Sequence, residues 1–214
     1  MPVTYCKGTN VRQIIQTLPA DQICHLSNVG LYVGVLTEKL YGGLYLDLAF
    51  SDERRYFGEA AYYHDIGKAW VPHEILVKPD ELTIEEALEM RKHSVLAEEL
   101  FRLITGGAIS GMPEHLVRLA HDSAVYHHEW WNGTGYPYGI SYDAIPLIAR
   151  ITTVCDAYDA MTSSRIYRES HSHDHARQEL KQYAGIQFDP ELVRVFLAAD
   201  VGSAFFSDAL LSHL

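Results

Sequence analysis

The sequence predicts an all-α domain, and three observations lead there. Apolar residues recur at helical rather than alternating spacing, and β-branched alternating runs are few. Capping residues, glycines and prolines also punctuate the chain at helix-length intervals. The 214 residues are 48% hydrophobic and 21% charged, which is globular and sufficient for one sizeable core.

Residues 11–18 form a short helix ending at Pro19. A second helix runs from Asp21 to about Tyr41, where Gly42-Gly43 stops it; Ile23, Leu26, Val29, Val33, Leu36 and Leu40 share one side. Residues 52–66 read as a third helix ending at Gly67, followed by a connector with two prolines. Thr83 and Glu86 make a capping box that opens a helix to Thr105, closed by Gly106-Gly107. Pro113 suits the first turn of a helix reaching about Trp130. "NGTGYPYGISYDAI" is too rich in glycine and tyrosine to be anything but a loop, near 132–145. A helix follows from Pro146 to Ser163, and Asp174 and Asp189-Pro190 cap two final ones.

A net charge of −11 argues against a nucleic-acid polymer as partner, since such binding needs a basic face. No apolar run reaches the ~18 residues of a membrane span, and the N-terminus lacks a leader pattern. Cys6, Cys24 and Cys155 are odd in number and scattered, which fits a reducing, cytoplasmic setting; Cys24 and Cys155 read as small core residues. Of the 12 histidines, His171, His173 and His175 belong to a polar tract.

Other histidines and carboxylates interrupt apolar helices: His25, four residues after Asp21; His64-Asp65; His93; His127-His128; and Asp156 within "ITTVCDAYDAM". Singly, a satisfied core or surface role explains His25 or His93 as well. Jointly, they describe five helices directing ligands to one interior, as helix bundles do around metals. The set is too large for one ion and suits two sharing a bridging carboxylate, a pair able to hold a phosphate and generate hydroxide from water. Imidazoles with carboxylates and no thiolate suit iron, manganese, cobalt or nickel, and zinc as well.

"HDIGK", His93, "HHEWWNGTGYP" (127–137), "ARITTVCDAYDAMTSSRIYR" (149–168) and "GIQFDPELVRVFL" (185–197) together resemble the HD-GYP family, a branch of the HD metal-dependent phosphohydrolases. The resemblance implies an HD-domain helical bundle with a GYP loop between two core helices. It divides the chain into an N-terminal extension (1–20), the phosphohydrolase domain (21–200) and a helical tail (201–214), the tail being either core or a homodimer contact. So short an extension leaves no space for a sensory domain, so regulation is expected from elsewhere. Carried over, His25, His64, Asp65 and Asp156 hold one ion, and Asp65 bridges to a second held by His93, His127 and His128. Iron or manganese is implied. Lys68 lies near the scissile phosphate, Tyr136 approaches the ligand, and Arg165 and Arg168 hold its phosphate or guanine. Asp21 stands where members with a third ion carry glutamate, so a third ion is the alternative to two. Asn132 replaces the usual aspartate of the loop motif, Ala97 a usual glycine, and Trp130-Trp131 a more polar pair that would stack on guanine or pack against the loop.

The implied activity is hydrolysis of cyclic di-GMP to pGpG, and in some members GMP. The alternatives are another nucleotide such as cyclic GMP-AMP, or a cyclic-dinucleotide-binding module without turnover.

Overall fold

A computed structural model describes residues 9–40, 52–163 and 171–201. They form ten α-helices and no strand. These are α1 (Val11–Ile15), α2 (Ala20–Lys39), α3 (Phe57–Ala61), α4 (His73–Leu76), α5 (Ile84–Arg91), α6 (His93–Thr105), α7 (Glu114–Tyr126), α8 (Leu147–Thr162), α9 (His173–Gln182) and α10 (Pro190–Ala198). Short 3-10 turns cover Asp52–Tyr56, Ile66–Trp70 and Tyr142–Ala144. No described helix is long and apolar enough to cross a membrane.

The centre is α2, packed along α3 and α8, with α7 across α3 and α8, and α6 against α7 and the 66–70 turn. Leu26, Val29, Val33 and Leu36 of α2 are fully buried in one core with Ala60, Leu116, Ile151, Val154 and Phe196. Each such aliphatic side chain contributes about 1.5–3 kcal/mol by leaving water. α2 and α3 cross at glycines: a Cβ on Gly30 would lie 2.8 Å from the Gly58 carbonyl oxygen, and one on Gly58 would lie 2.7 Å from that of Gly30. That close crossing sets the turn after α3 beside α2.

Several elements depart from the sequence expectations. The span 52–66 is a 3-10 turn, five residues of α-helix and then a turn, so His64 and Asp65 sit past a helix end. The capping box of Thr83 and Glu86 is present, yet the helix it opens stops at Arg91 and α6 starts afresh at His93. Gly67 packs tightly on this junction: a Cβ there would lie 2.0 Å from the His93 carbonyl oxygen. Ala97, also at that contact, is fully buried, which explains a small residue there. Helix α7 ends at Tyr126, before His127. Asp189 caps α10, but Ser172 rather than Asp174 caps α9. Cys155 is buried, whereas Cys24 is exposed, because one helical step from an inward His25 turns it outward. His173 is no solvated residue either: its Nδ1 lies 2.6 Å from the Tyr158 hydroxyl, and the rings stack.

Candidate metal centre

His25 comes from the second turn of α2, His64 and Asp65 from the turn after α3, and His93 from the first position of α6. His127 and His128 follow the end of α7, and Asp156 lies mid-way along α8. A helix interior would aim two consecutive side chains ~100° apart. The end of α7 relaxes that constraint, and the rings of His127 and His128 lie 4.0 Å apart.

These residues converge in two groups, Asp65 with His93, His127 and His128, and His25 with His64 and Asp156; within each group the ligand atoms lie within 4.8 Å of one another. Asp65 stands between them. Its Oδ2 is 3.3 Å from His64 Nε2 and 3.7 Å from His25 Nε2, while its Oδ1 is 3.3 Å from His93 Nε2 and 3.7 Å from His127 Nε2. Asp156 Oδ1 lies 3.0 Å from His25 Nε2 and 3.9 Å from His64 Nε2.

The ring orientations are fixed from behind. His64 Nδ1 donates to the Ala61 carbonyl (2.9 Å), His93 Nδ1 to that of Met90 (2.7 Å), and His127 Nδ1 to those of Ser123 and Ala124. His25 Nδ1 donates to the buried carboxylate of Asp159 at 2.6 Å. An oxygen acceptor leaves Nδ1 only the donor role, so in each of these rings Nε2 is the nitrogen left to take a metal, once deprotonated in the case of His25. His64 Nε2, His93 Nε2, His127 Nε2 and Asp65 Oδ1 are buried with no hydrogen-bond partner. Each such orphan costs about 1–3 kcal/mol. Four of them facing one another, with ligand-competent tautomers, fit divalent cations held between them.

Electrostatics agree. Burial would raise the Asp65 carboxyl, but Lys68 and His64 beside it hold it well below the usual carboxylate range. Asp156 is likewise held low, against its burial, by the hydrogen bond and charge of His25. Burial pushes His127 down to about 3, and lowers His93 and His128 as well, with neighbouring imidazoles adding to it. Anionic carboxylates and neutral imidazoles are the protonation states that bind metals. His25 alone moves the other way, to about 9, because Asp156 and Asp159 outweigh its burial.

Lys68, in the 66–70 turn, holds Asp65 Oδ2 at 2.5 Å and Gln22 Oε1 at 3.2 Å. Tyr136 stacks on His128, centroids 4.7 Å apart at 22°. Trp131 packs within its own loop, edge-on to Tyr142 and under Arg150. Asn132 accepts from the backbone N–H and the hydroxyl of Thr134, a local turn that needs no aspartate. Asp21 is half-buried on α2 and belongs to neither ligand group. Arg165 and Arg168 lie outside the described residues.

Sequence reasoning missed three buried supports. Asp159 holds His25 and is itself held by Asn28 Nδ2 (3.0 Å) and Ser163 Oγ (2.9 Å). A second carboxylate three residues after Asp156 in an apolar helix was the available signal. Glu129, nearly inaccessible, accepts from the backbone N–H groups of Tyr138 (2.6 Å) and Gly139 (3.1 Å), closing the GYP loop. Gln22 positions Lys68 from three residues before His25.

A helical bundle delivering a His-Asp doublet and further imidazoles to one cleft defines an HD-type domain. A family model described as HD domain matches residues 44–192, and the chain belongs to that family, in its HD-GYP branch. A Vibrio cholerae serotype O1 protein named "Probable cyclic di-GMP phosphodiesterase" is 38% identical over 174 residues, covering 81% of this chain and 39% of its own. A "3'3'-cGAMP-specific phosphodiesterase 2" from the same organism is 32% identical over 188 residues, covering 88% of this chain and 33% of its own. The chain thus spans two fifths or less of these relatives. A crystal structure of a cyclic GMP-AMP specific phosphodiesterase from V. cholerae matches with a TM-score of 0.52 at 19% identity, over 92% of this chain and 48% of that one. At that identity the likeness concerns the fold.

Proposed function

We propose that this chain is a metal-dependent phosphodiesterase that opens cyclic di-GMP to pGpG, with cleavage onward to GMP as its further step. The observation that carries the reading is Asp65, whose Oδ1 faces the unpartnered Nε2 atoms of His93 and His127 while its Oδ2 faces that of His64 and the Nε2 of His25. His25, His64, Asp65 and Asp156 would hold one ion, and Asp65, His93, His127 and His128 a second. Two ions, iron or manganese, would supply Lewis acidity toward a phosphoryl oxygen and a nucleophile at neutral pH. Lys68 adds positive charge beside them, where negative charge develops on the phosphoryl oxygens. Its bonds to Asp65 and Gln22 keep the ammonium at that place. Tyr136 forms a wall of the substrate cleft, and Arg165 and Arg168 would take substrate phosphate or guanine. A cytoplasmic location belongs to the same reading, and the free thiols of Cys24 and Cys155 accord with it.

The relative named for 3'3'-cGAMP favours the mixed dinucleotide as a second substrate. The test is turnover by protein purified anaerobically, with manganese or ferrous iron, products resolved by chromatography. Metal-dependent pGpG or GMP, absent in Asp65→Ala, is the expected result. Cleavage of cyclic GMP-AMP alone would move the assignment to that substrate. Binding of either dinucleotide without cleavage would make the chain a sensor.

A further inference from the structure

One cation beside the cleft has no counter-charge among the described residues. Arg91, the last residue of α5, is exposed, and its guanidinium carbon lies 5.3 Å from the centroid of the Tyr136 ring. That ring in turn stacks on His128. Imidazole, phenol ring and guanidinium therefore form one continuous wall running outward from the proposed ligand set. Neighbouring cations are neutralised: Lys92 pairs with Glu89, Lys78 with Glu86 and Arg102 with Glu99. Arg91 stands on an aromatic face instead, and no described carboxylate pairs with it. A guanidinium laid on a ring keeps its in-plane N–H groups pointing outward, the geometry for two parallel bonds to a phosphate. Lys68 is already engaged by Asp65 and Gln22 deeper in the cleft. On a chain of net charge −11, a ligand with two negative charges gains from each local cation, Arg91 beside those already proposed at Lys68, Arg165 and Arg168.

We propose that Arg91 is a substrate-binding residue that receives the phosphodiester not undergoing cleavage, with Tyr136 as the platform beneath its guanidinium. This rests on the chain being a cyclic-dinucleotide phosphodiesterase and adds a second phosphate subsite to it. A cyclic dinucleotide carries two phosphodiesters separated by its sugars. With one at the carboxylate-imidazole cleft, the other falls further along the wall. A substrate with one phosphate has nothing to place at Arg91.

The test compares cyclic di-GMP with bis(p-nitrophenyl) phosphate, a single phosphodiester, in wild-type protein, Arg91→Met and Arg91→Lys. Methionine keeps an apolar stem over Tyr136 and removes the charge. The expected result is a rise of about tenfold in KM for cyclic di-GMP in Arg91→Met, the size of one charge-assisted contact. The loss falls on KM more than on kcat, is much smaller for the single diester, and is partly restored in Arg91→Lys. An unchanged KM for cyclic di-GMP overturns the assignment, and so does an equal loss on both substrates. Wild-type protein that cleaves the single diester but neither binds nor cleaves cyclic dinucleotides removes the parent reading, and Arg91's role with it. That outcome is told apart because it is seen before any variant is made.

Discussion

Asp159→Asn gives the sharpest mutational prediction. Asp159 is fully buried; Oδ2 accepts from His25 Nδ1, and Oδ1 from Asn28 and Ser163. An asparagine of the same shape keeps one oxygen, which Asn28 and Ser163 retain. Its amide then faces His25 as a donor, so Nδ1 must accept and the ring proton moves to Nε2. Nε2, which faces Asp65 and Asp156, then keeps its proton and cannot take a metal. Replacing a partner behind a ligating histidine weakens metal binding by about 10–100-fold, which is about 1.4–2.8 kcal/mol. The assay is manganese binding to metal-free protein by calorimetry, with metal content per chain and a melting curve on the same sample. We predict one site weakened by that factor and a second near its wild-type affinity. Two sites of unchanged affinity in a folded variant would refute the claim that Asp159 sets the His25 tautomer.

Three further outcomes follow from the same geometry. Manganese at a hundred times its Kd should stabilise metal-free protein by about 2.7 kcal/mol, a melting-point rise of roughly 5–10 °C for a chain of this size; an unmoved melting point would mean the orphaned Nε2 atoms take no cation. Gly67→Ala should destabilise by about 3 kcal/mol, as overpacking against backbone does, since its Cβ would lie 2.0 Å from the His93 oxygen and 2.8 Å from the Ala97 nitrogen; a denaturant midpoint equal to wild type contradicts this. Glu129→Ala should free the amides of Tyr138 and Gly139 to exchange faster, while Glu129→Gln, which keeps an acceptor, holds them; equal protection in both variants would show that the loop is held by other bonds.

Most of the candidate ligands were legible because they break an apolar pattern where a polar side chain needs a reason; His93, in the polar "RKHS", was legible only alongside the others. Asp156 after "ITTVC" is a polar residue that helix periodicity aims inward, and His64-Asp65 after "AYY" ends an apolar run. The bundle was legible for the complementary reason, that Leu26, Val29, Val33 and Leu36 recur at helical spacing and are all buried. What the sequence concealed comes from contacts distant in the chain. Nothing in "EMRKHSVL" signals a helix break, and the backbone packed against it, at Gly67, lies 26 residues away. Asp159 reads as one more carboxylate on α8 until His25, 134 positions earlier, is found against it. Arg91 sits in a polar stretch indistinguishable from any solvated helix end, and only the placement of Tyr136 gives it a role.

The most direct measurement is anomalous scattering at the manganese edge from crystals grown with manganese. The account predicts two peaks sharing Asp65, one beside Oδ1 with His93, His127 and His128, the other beside Oδ2 with His25, His64 and Asp156. A single peak, or two peaks that do not share Asp65, would contradict it.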